Sequence, residues 1–366
     1  MKAQLGLAGV TQAPSPGPPT GWRQAACMQV ARSAATATLL ADGSVLVAGG
    51  DRCDGVLASA ERYDPDHNTW TLTGSMTTRR NLHVAALLHD GRVLVAGGFN
   101  GGGSLASAEL YDQTTGAWTP IGSMSVPRSL PLATPLQDGR QVLVAGGMNG
   151  TTELATAELF DLVTGTWAAT GSMSTSRLGA TMTLLQDGRV LVAGGFVGAT
   201  TPKVLATCEL YDPTAGTWSA TAPMGTSRCV HAAVLGGDGT VLVAGGFDGA
   251  ATLASAELYT PGPAPGPDSW TPTAGMSTAR QLPTATLLGD GSILVVGGGG
   301  DAGFVGSAEV YDPPPKGTWN PPAPTIGFRA TNTIIRLATG EVLVAGGNIG
   351  NTNAIDALAS TELFST

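Results

Sequence analysis

The hexapeptide VLVAGG at Val45–Gly50 decides the fold, because this motif or a close variant recurs seven times along the chain. The copies end in Gly49-Gly50, Gly97-Gly98, Gly146-Gly147, Gly194-Gly195, Gly245-Gly246, Gly297-Gly298 and Gly346-Gly347, at spacings of 48, 49, 48, 51, 52 and 49 residues. A period near 50 built from short apolar strands is typical of a propeller blade, which cannot bury both of its faces alone. The repeat therefore predicts an all-β, seven-bladed propeller.

The first repeat shows how each blade is built. Ser33–Leu40 alternates as a strand, the Asp-Gly pair at Asp42 predicts a tight turn, and Ser44–Ala48 is an apolar second strand. Ala58–Tyr63 forms a third strand, and a fourth strand carries Trp70. We therefore expect four antiparallel strands in every blade.

Three further positions recur in register with the Gly pairs. A Trp is found at Trp22, Trp70, Trp118, Trp167, Trp218, Trp270 and Trp319. Ten residues after each Trp comes an Arg: Arg32, Arg80, Arg128, Arg177, Arg228, Arg280 and Arg329. A Glu stands two residues before an aromatic residue at Glu61, Glu109, Glu158, Glu209, Glu257, Glu309 and Glu362. The chain has nine Glu in all, so seven in register cannot be chance.

The last blade needs a strand from the other end of the chain. The sequence after Glu362 contains no Trp, whereas Trp22 and Arg32 near the start have the spacing of Trp70 and Arg80. We therefore expect residues 20–26 to complete the last blade and to remove its open sheet edge.

The domain boundaries follow from this closure. We expect residues 1–19 to be a Pro-rich lead-in and residues 20–366 to form the propeller. The predicted blade cores are about 33–73, 81–121, 129–170, 178–221, 229–273, 281–322 and 330–364, the last joined by 20–26.

The Gly pair, the Glu-x-Tyr, the Trp and the Arg together resemble the kelch repeat, and the resemblance runs from Trp22 to Phe364. The repeats are similar to those of bacterial kelch proteins more than to those of human adaptors, which carry additional domains. The resemblance implies partner binding on one rim. The family that the chain resembles also includes enzymes, namely copper-radical oxidases, sialic acid epimerases and thiohydroximate-processing proteins.

The overall composition excludes two classes of partner. The net charge is −9 and the chain has only three Lys, which argues against binding a phosphate backbone, so no nucleic acid partner is expected. The sequence has no run of 18 apolar residues, so we expect no membrane span. We expect a monomer.

The seven Arg and seven Glu in register are expected to form a ring of structural ion pairs. The topology puts the start of the first strand and the start of the third strand at the same rim, and a buried charge persists only when it is paired. The alternative is a ring of exposed Arg around the channel mouth that binds an acidic partner.

The loops that follow the Gly pairs are the expected binding surface. The Gly-to-Glu spacing is 11 residues in five blades but 14 in blade 4 and 15 in blade 7, and variable loops on a rigid frame commonly bind ligands. The candidate binding residues are Asp51, Asp54, Phe99, Asn100, Asn149, Phe196, Lys203, Phe247, Asp248, Asp301 and Phe304. Aromatic residues beside Asp and Asn suit a sugar or a peptide. Alternatively, Phe99, Phe196 and Phe247 fill the bases of their loops.

The sequence favours binding over catalysis. All five Tyr occupy repeat positions, and His83 and His231 lie on blades 2 and 5, too far apart to share a metal easily. No zinc spacing or nucleophile motif is found, so we predict no catalytic residue, metal or cofactor. The predicted function is a rigid binding module for a protein or a glycan, and the alternative is a carbohydrate-active or other enzyme with its site at the channel mouth.

The four Cys suggest two disulfides. Cys27 with Cys53, and Cys208 with Cys229, bring together residues of one rim, within a blade or across neighbouring blades. Two disulfides would indicate an extracellular or cell-envelope protein. The alternative is that the four are unrelated small buried residues.

Overall fold

The computed structural model describes residues 21–198, 202–262, 267–301, 303–348 and 357–365. These residues form seven antiparallel sheets, one per repeat, as predicted. The first strand of each sheet contacts the first strands of the two neighbouring sheets, and these contacts close into a circle. The first strands therefore line a central channel, and the sheets radiate from it as blades. The lead-in of residues 1–19 lies outside the described residues.

The strands of each blade follow in chain order from the channel outwards. Blade 1 has Thr36–Leu39, Val45–Ala48, Ala60–Asp64 and Thr69–Leu72; blade 2 has Val84–Leu87, Val93–Ala96, Ala108–Asp112 and Ala117–Ile121; blade 3 has Leu132–Pro135, Gln141–Ala145, Ala157–Asp161 and Thr166–Thr170. Blade 4 has Thr181–Leu184, Val190–Ala193, Cys208–Asp212 and Thr217–Thr221; blade 5 has Ala232–Leu235, Val241–Ala244, Ala256–Thr260 and Ser269–Thr273. Blade 6 has Thr284–Leu287, Ile293–Val296, Ser307–Asp312 and Thr318–Trp319, with Ala323–Pro324 added to its third strand. Blade 7 has Thr333–Arg336, Val342–Ala345, Thr361–Ser365 and, outermost, Gly21–Gln24.

Four blades also carry a short two-stranded ribbon in the loop after the Gly pair. The ribbons are Asp51–Arg52 with Gly55–Val56, Met148–Asn149 with Thr152–Glu153, Phe196–Val197 with Lys203–Val204, and Gly299–Gly300 with Gly303–Phe304.

The ring is closed by the strand near the start of the chain, which confirms the predicted closure. Gly21–Gln24 pairs with Thr361–Ser365, so that Trp22 lies opposite Phe364. Arg23 adds a bidentate ion pair, because its Nη2 atom lies 2.9 Å and 3.0 Å from the two carboxylate oxygens of Glu341. The last blade is thus held by backbone bonds, an aromatic contact and a charge pair.

The Gly pair is required because neighbouring blades approach each other closely there. Gly49 and Gly50 have φ of 64° and 95°. A Cβ on Gly49 would lie 2.4 Å from the carbonyl oxygen of Arg80 in the next blade, and one on Gly50 would lie 2.5 Å from the oxygen of Ser33. The Gly50 N–H donates to the Arg80 carbonyl at 2.9 Å, so the pair also bonds blade 1 to blade 2.

Aromatic pairs tie the outer parts of the blades together. Each Trp packs on the Tyr or Phe of its own blade, with ring centroids 5.0 to 5.3 Å apart. Six of the Trp indoles also donate a hydrogen bond to a carbonyl of the preceding blade, as Trp118 does to Gly74 at 2.8 Å. The buried indole nitrogen of the seventh, Trp22, has no partner. In blade 6 the position that supplies the carbonyl in the other blades is Ala323, which pairs with Ala308 of its own blade.

The choice between Tyr and Phe at the third-strand position depends on the preceding blade. Where that blade offers a Thr, the residue is Tyr and the two hydroxyls are bonded, as in Thr73–Tyr111 at 2.9 Å and Thr170–Tyr211 at 2.7 Å. In blade 3 the residue is Phe160, and the preceding blade presents the apolar Ile121 against it. In blade 1 the Tyr63 hydroxyl is bonded to Asn68 in place of a Thr. A buried Tyr therefore occurs at this position only where its hydroxyl has a hydrogen-bond partner.

This matching can be tested with a double-mutant cycle at the boundary between blades 2 and 3. Phe160→Tyr places a hydroxyl against Ile121 without a partner, which should lower the free energy of unfolding by about 1–3 kcal/mol. Adding Ile121→Thr should restore most of that loss, since Thr and Tyr can then bond as they do elsewhere in the ring. Urea denaturation of the wild type, both single variants and the double variant measures the coupling. Strictly additive losses would contradict the matching.

Candidate functional site

The propeller has two unlike rims. The loop rim carries the loops after the Gly pairs and the segments that lead into the first strands. The turn rim carries the Asp-Gly turns and the connections between third and fourth strands. All eleven candidate binding residues belong to the loop rim, because each falls in a loop or ribbon that follows a Gly pair.

Each register Arg lies against the Glu of its own blade, beneath the loop rim. The guanidinium-to-carboxylate distance is 2.8 to 3.0 Å in six blades, and Arg329 pairs with Glu362 in the seventh. The seven Arg are at most 1% exposed. The alternative of an exposed arginine ring for an acidic partner therefore does not describe this surface.

The environment of Arg80 shows why the charge is tolerated. Its Nη1 atom donates to the carbonyl oxygens of Gly97 and Ser107 at 2.8 and 3.0 Å, and its Nη2 atom donates to Glu109. Glu109 also accepts the backbone N–H of Thr77 at 2.7 Å. Burial lowers the pKa of Arg80, and the bond to the Glu109 carboxylate opposes that shift. The pair thus fastens three chain segments of one blade.

Arg177→Ala should be strongly destabilising, because it leaves the buried Glu209 carboxylate without its cation. The expected loss is about 3–5 kcal/mol in the free energy of unfolding, measured by urea denaturation. Arg92→Ala is the matched control: its partner Asp90 is on the turn rim and solvent-exposed, so the loss should stay below about 1 kcal/mol. Equal losses in the two variants would show that the buried pair is not a structural element.

A ring of residues at the channel mouth was not anticipated from the sequence. It consists of the residue two positions after each register Arg: Ala34, Leu82, Leu130, Gly179, Val230, Leu282 and Thr331. We call this ring the mouth collar. Five of its seven neighbouring pairs are joined by a backbone bond, such as Leu130 N–H to the Leu82 oxygen at 3.0 Å and Leu282 N–H to the Val230 oxygen at 2.8 Å. Because the collar stands where the first strands begin, it surrounds the entrance of the channel.

The mouth collar is held in an unfavourable backbone conformation. All seven members have φ between 48° and 60°, and six of them are not glycine. For an L-residue this left-handed region costs about 1–2 kcal/mol. Strain of this kind persists where the surrounding structure enforces it, and it is concentrated at ligand-binding sites. Leu130 and Leu282 are nevertheless 42% exposed, so the collar presents apolar side chains to solvent.

Three candidate residues are engaged in hydrogen bonds within the rim. Asp51 accepts the Ser33 hydroxyl at 2.6 Å and the Asn81 amide at 2.8 Å, which joins blade 1 to blade 2. The Asn100 side chain accepts the N–H groups of two following glycines, and Asp248 accepts those of two following alanines. The polar groups of these three residues therefore shape the rim.

The four candidate Phe are half-buried. Phe99 bridges Asn81, and Phe247 bridges Cys229, so both lie at the base of their loops. Phe196 lies near the mouth collar, with its Cε1 atom 3.4 Å from where a Cβ of Gly179 would be. Phe304 ends a ribbon strand in blade 6.

The remaining candidates are exposed around the edge of the loop rim. Asn149, Lys203 and Asp301 all lie in ribbons or ribbon turns, and Asp54 pairs with the neighbouring Arg52. Two further apolar residues of the same rim are exposed, Ile326 at 54% and Phe328 at 62%. Both belong to the segment before Arg329, where other blades have small or polar residues.

The two inner-strand His are buried in separate blade boundaries. His83 Nε2 lies 3.0 Å from the Thr36 hydroxyl of blade 1, and His231 Nε2 lies 2.9 Å from Thr181 of blade 4. Burial lowers the pKa of each imidazole to about 3, and the nearby Arg80 or Arg228 adds to the shift. Both His are therefore neutral structural residues at ordinary pH.

These His predict a loss of stability in acid. An unfolded His has a pKa near 6.5, so below that pH the unfolded chain binds protons that the folded chain excludes. Their contribution is complete above about pH 6.5 and is lost as the pH falls towards 3. Asn332 occupies the same register position in blade 7 and donates to Thr284 at 2.9 Å, so Asn is a suitable replacement.

The double variant His83→Asn/His231→Asn should therefore lose less free energy of unfolding than the wild type between about pH 7 and about pH 4. Urea denaturation at several pH values gives both profiles. Parallel profiles for the two proteins would exclude the buried His as a source of acid sensitivity.

All four Cys are free thiols in the structure, so neither expected disulfide is formed. Cys208 packs among the apolar side chains between blades 4 and 5, whereas the Cys229 sulfur lies 3.5 Å from the Phe247 carbonyl oxygen. These two side chains thus have different surroundings, and Cys27 and Cys53 are exposed.

The turn rim has grooves between adjacent blades but a repetitive chemistry. One groove of about 580 Å³ lies between the turns of blades 5 and 6 and is lined by Asp238, Asp290 and Lys316. In these turns Asp238 accepts the Thr240 N–H and Asp290 accepts the Ser292 N–H, each through Oδ1. Since the acids of the groove serve the turns that repeat around the ring, we place the candidate site on the loop rim.

The described part of the chain contains no helix that is long and apolar enough to cross a membrane. Within the same residues, no group of three His, Cys, Asp or Glu is arranged to hold a metal ion.

Comparison with known proteins identifies the repeat. A family model described as the Kelch motif matches residues 33–77, 80–125, 132–174 and 184–225, which correspond to the first four blades. Among solved structures, the chain is similar to a fungal alcohol oxidase of the AA5 family in complex with copper. The TM-score is 0.75 and the identity 19%, over 95% of this chain and 76% of that one, so the likeness shows the fold alone. A search of curated proteins found no match.

Within the described residues, the inner-strand His side chains do not converge on a copper site. Imidazole is a preferred copper ligand, but His83 and His231 are buried in separate boundaries. The five Tyr pack on Trp residues in the outer part of the blades.

Proposed function

Because this chain belongs to the kelch-repeat family, whose propellers generally bind proteins, we propose that it is a rigid module that binds a protein partner on the loop rim. One observation carries the proposal. Of the six large hydrophobic residues that are exposed among the described residues, four lie on this rim: Leu130, Leu282, Ile326 and Phe328. Exposed apolar residues concentrated on one face are typical of a protein-binding surface.

The construction of the rim supports the same proposal. The loops vary in length, while the Arg–Glu pairs and Gly pairs beneath them repeat in every blade. Such a frame holds the loops in place before binding, which reduces the entropy lost on association. One chain closes the ring by itself, which favours a monomeric binding unit.

A glycan is the second candidate partner. It is favoured by the two places where an aromatic residue is followed by a polar one, Phe99-Asn100 and Phe247-Asp248. The engagement of Asn100 and Asp248 with their own loops counts against it, because a sugar would need those groups free.

The enzymatic alternative is less well supported than binding. Acid–base catalysis at the channel mouth would need convergent titratable groups, whereas no member of the mouth collar is titratable. The alcohol oxidase resembles this chain in fold alone.

The proposal can be tested by selecting random peptides displayed on phage against the immobilised full chain. The selected peptides should bind the wild type and lose at least about tenfold in affinity on Asn149→Arg/Asp301→Arg, which adds bulk and charge to the loop rim. Val163→Arg is the matched control, since Val163 is 76% exposed on the turn rim. The proposal would be contradicted by peptides whose affinity falls on the control variant but not on the loop-rim variant. It would also be contradicted by a selection in which no peptide binds the loop-rim variant more weakly than the wild type. A glycan array probed with the same variants tests the second candidate.

A further inference from the structure

We propose that the partner inserts one uncharged aliphatic or aromatic side chain into the mouth collar, so that the collar selects partners by an apolar anchor. This inference rests on the proposed function and adds the chemistry of the partner. It differs from the acidic partner that an exposed arginine ring would select.

The first observation is the conflict between backbone and side chain in the collar. The left-handed conformation favours glycine, and Gly179 shows that glycine is accepted at this position. Three other members are nevertheless Leu and one is Val, which is β-branched and therefore disfavoured at positive φ. Backbone bonds join five of the seven neighbouring pairs of the collar, and none of these bonds involves a side chain. These bonds therefore do not explain why aliphatic side chains occupy strained positions, whereas contact with a ligand would explain it.

The second observation is the charge around the channel entrance. No collar member is charged, and the described first strands carry one charged residue, Arg336, at the far end of the strand in blade 7. The register Arg nearest to the mouth are buried and paired. Asp51 lies beside the collar in blade 1, but its two carboxylate oxygens are already bonded to Ser33 and Asn81. A charged group entering the mouth would therefore lose its hydration without meeting an opposite charge in the collar, whereas an apolar group would gain from the same dehydration. The electrostatics of the mouth thus match a neutral anchor.

The third observation is the shape of the collar. In blade 4 the collar has no side chain at Gly179, and the Val230 Cγ1 atom and the Phe196 ring pack over it, 3.0 Å and 3.4 Å from the position that a Cβ would take. Leu130 stands in the blade before Gly179 and Leu282 in the second blade after it, both with exposed side chains. An anchor at the centre of the rim would contact aliphatic groups from several blades. Central apolar contacts surrounded by a polar rim are typical of binding hot spots.

The experiment compares the wild type with Leu130→Gly/Leu282→Gly, using the peptides from the phage selection as probes. Glycine removes the side chains and relaxes the backbone, so the melting temperature should stay the same or rise. Affinity should fall at least about tenfold, which corresponds to the loss of one buried apolar contact. Replacing the apolar anchor of a peptide by Ala should cause a similar loss on the wild type and little further loss on the variant. Leu130→Asn/Leu282→Asn, which also tolerates the left-handed conformation, checks the result with a polar side chain.

The outcomes separate this inference from the proposed function. Peptides that bind through an Asp, Glu, Lys or Arg anchor would overturn the apolar anchor and leave the rim-binding function standing. The same conclusion would follow from peptides that bind both collar variants as tightly as the wild type but bind Asn149→Arg/Asp301→Arg more weakly. A melting temperature that falls clearly in both collar variants would show that the Leu side chains seal the ring, and would also overturn it. Peptides insensitive to every loop-rim and collar variant would remove the proposed function itself.

Discussion

The register Arg and the Gly pair form one connected unit, and the remainder of the propeller depends on it. The Arg80 side chain bonds the second and third strands of its own blade, and its backbone carbonyl accepts the Gly50 N–H of the blade before. The same residue therefore fixes a blade internally and fixes its distance from its neighbour. Because a Cβ on Gly49 would lie 2.4 Å from that carbonyl oxygen, and one on Gly97 would lie 2.6 Å from the equivalent oxygen of Arg128, the spacing between blades leaves little freedom. A charge that would be costly alone is stabilising here since all its contacts are supplied by the repeat.

Most of the frame was predictable because the repeat displays each structural requirement seven times. The Asp-Gly turns, the apolar second strand and the displaced Trp22 gave the strand order and the closure, and the Arg and Glu lie paired as their shared register suggested. The mouth collar was not predictable in this way. Its members are Ala, Leu, Gly, Val and Thr, which share no chemistry in the sequence, and what unites them is a backbone angle and a bond to the neighbouring blade.

The candidate site was predicted in location more than in detail. Variable loops after the Gly pairs mark the rim, but Asn100 and Asp248 turn out to bond their own loops, and Asp51 joins blade 1 to blade 2. A sequence cannot show whether a polar group is free or already bonded, because that depends on the direction of one side chain. The four Cys are free thiols in the structure, two of them exposed and two buried.

The closure of the ring by Gly21–Gln24 has a consequence for how the chain reaches its native state. Contacts between residues near 22 and near 364 join the most distant parts of the sequence, which makes this pairing slow to form because a large loop must close first. While the chain is being synthesised, the early strand must wait until the last repeat has left the ribosome. During that interval the blades already made expose an unpaired flank, and such surfaces invite association between chains. The wrapping that gives the finished ring its unbroken circumference thus makes its assembly sensitive to the rate of synthesis and to crowding by other nascent copies.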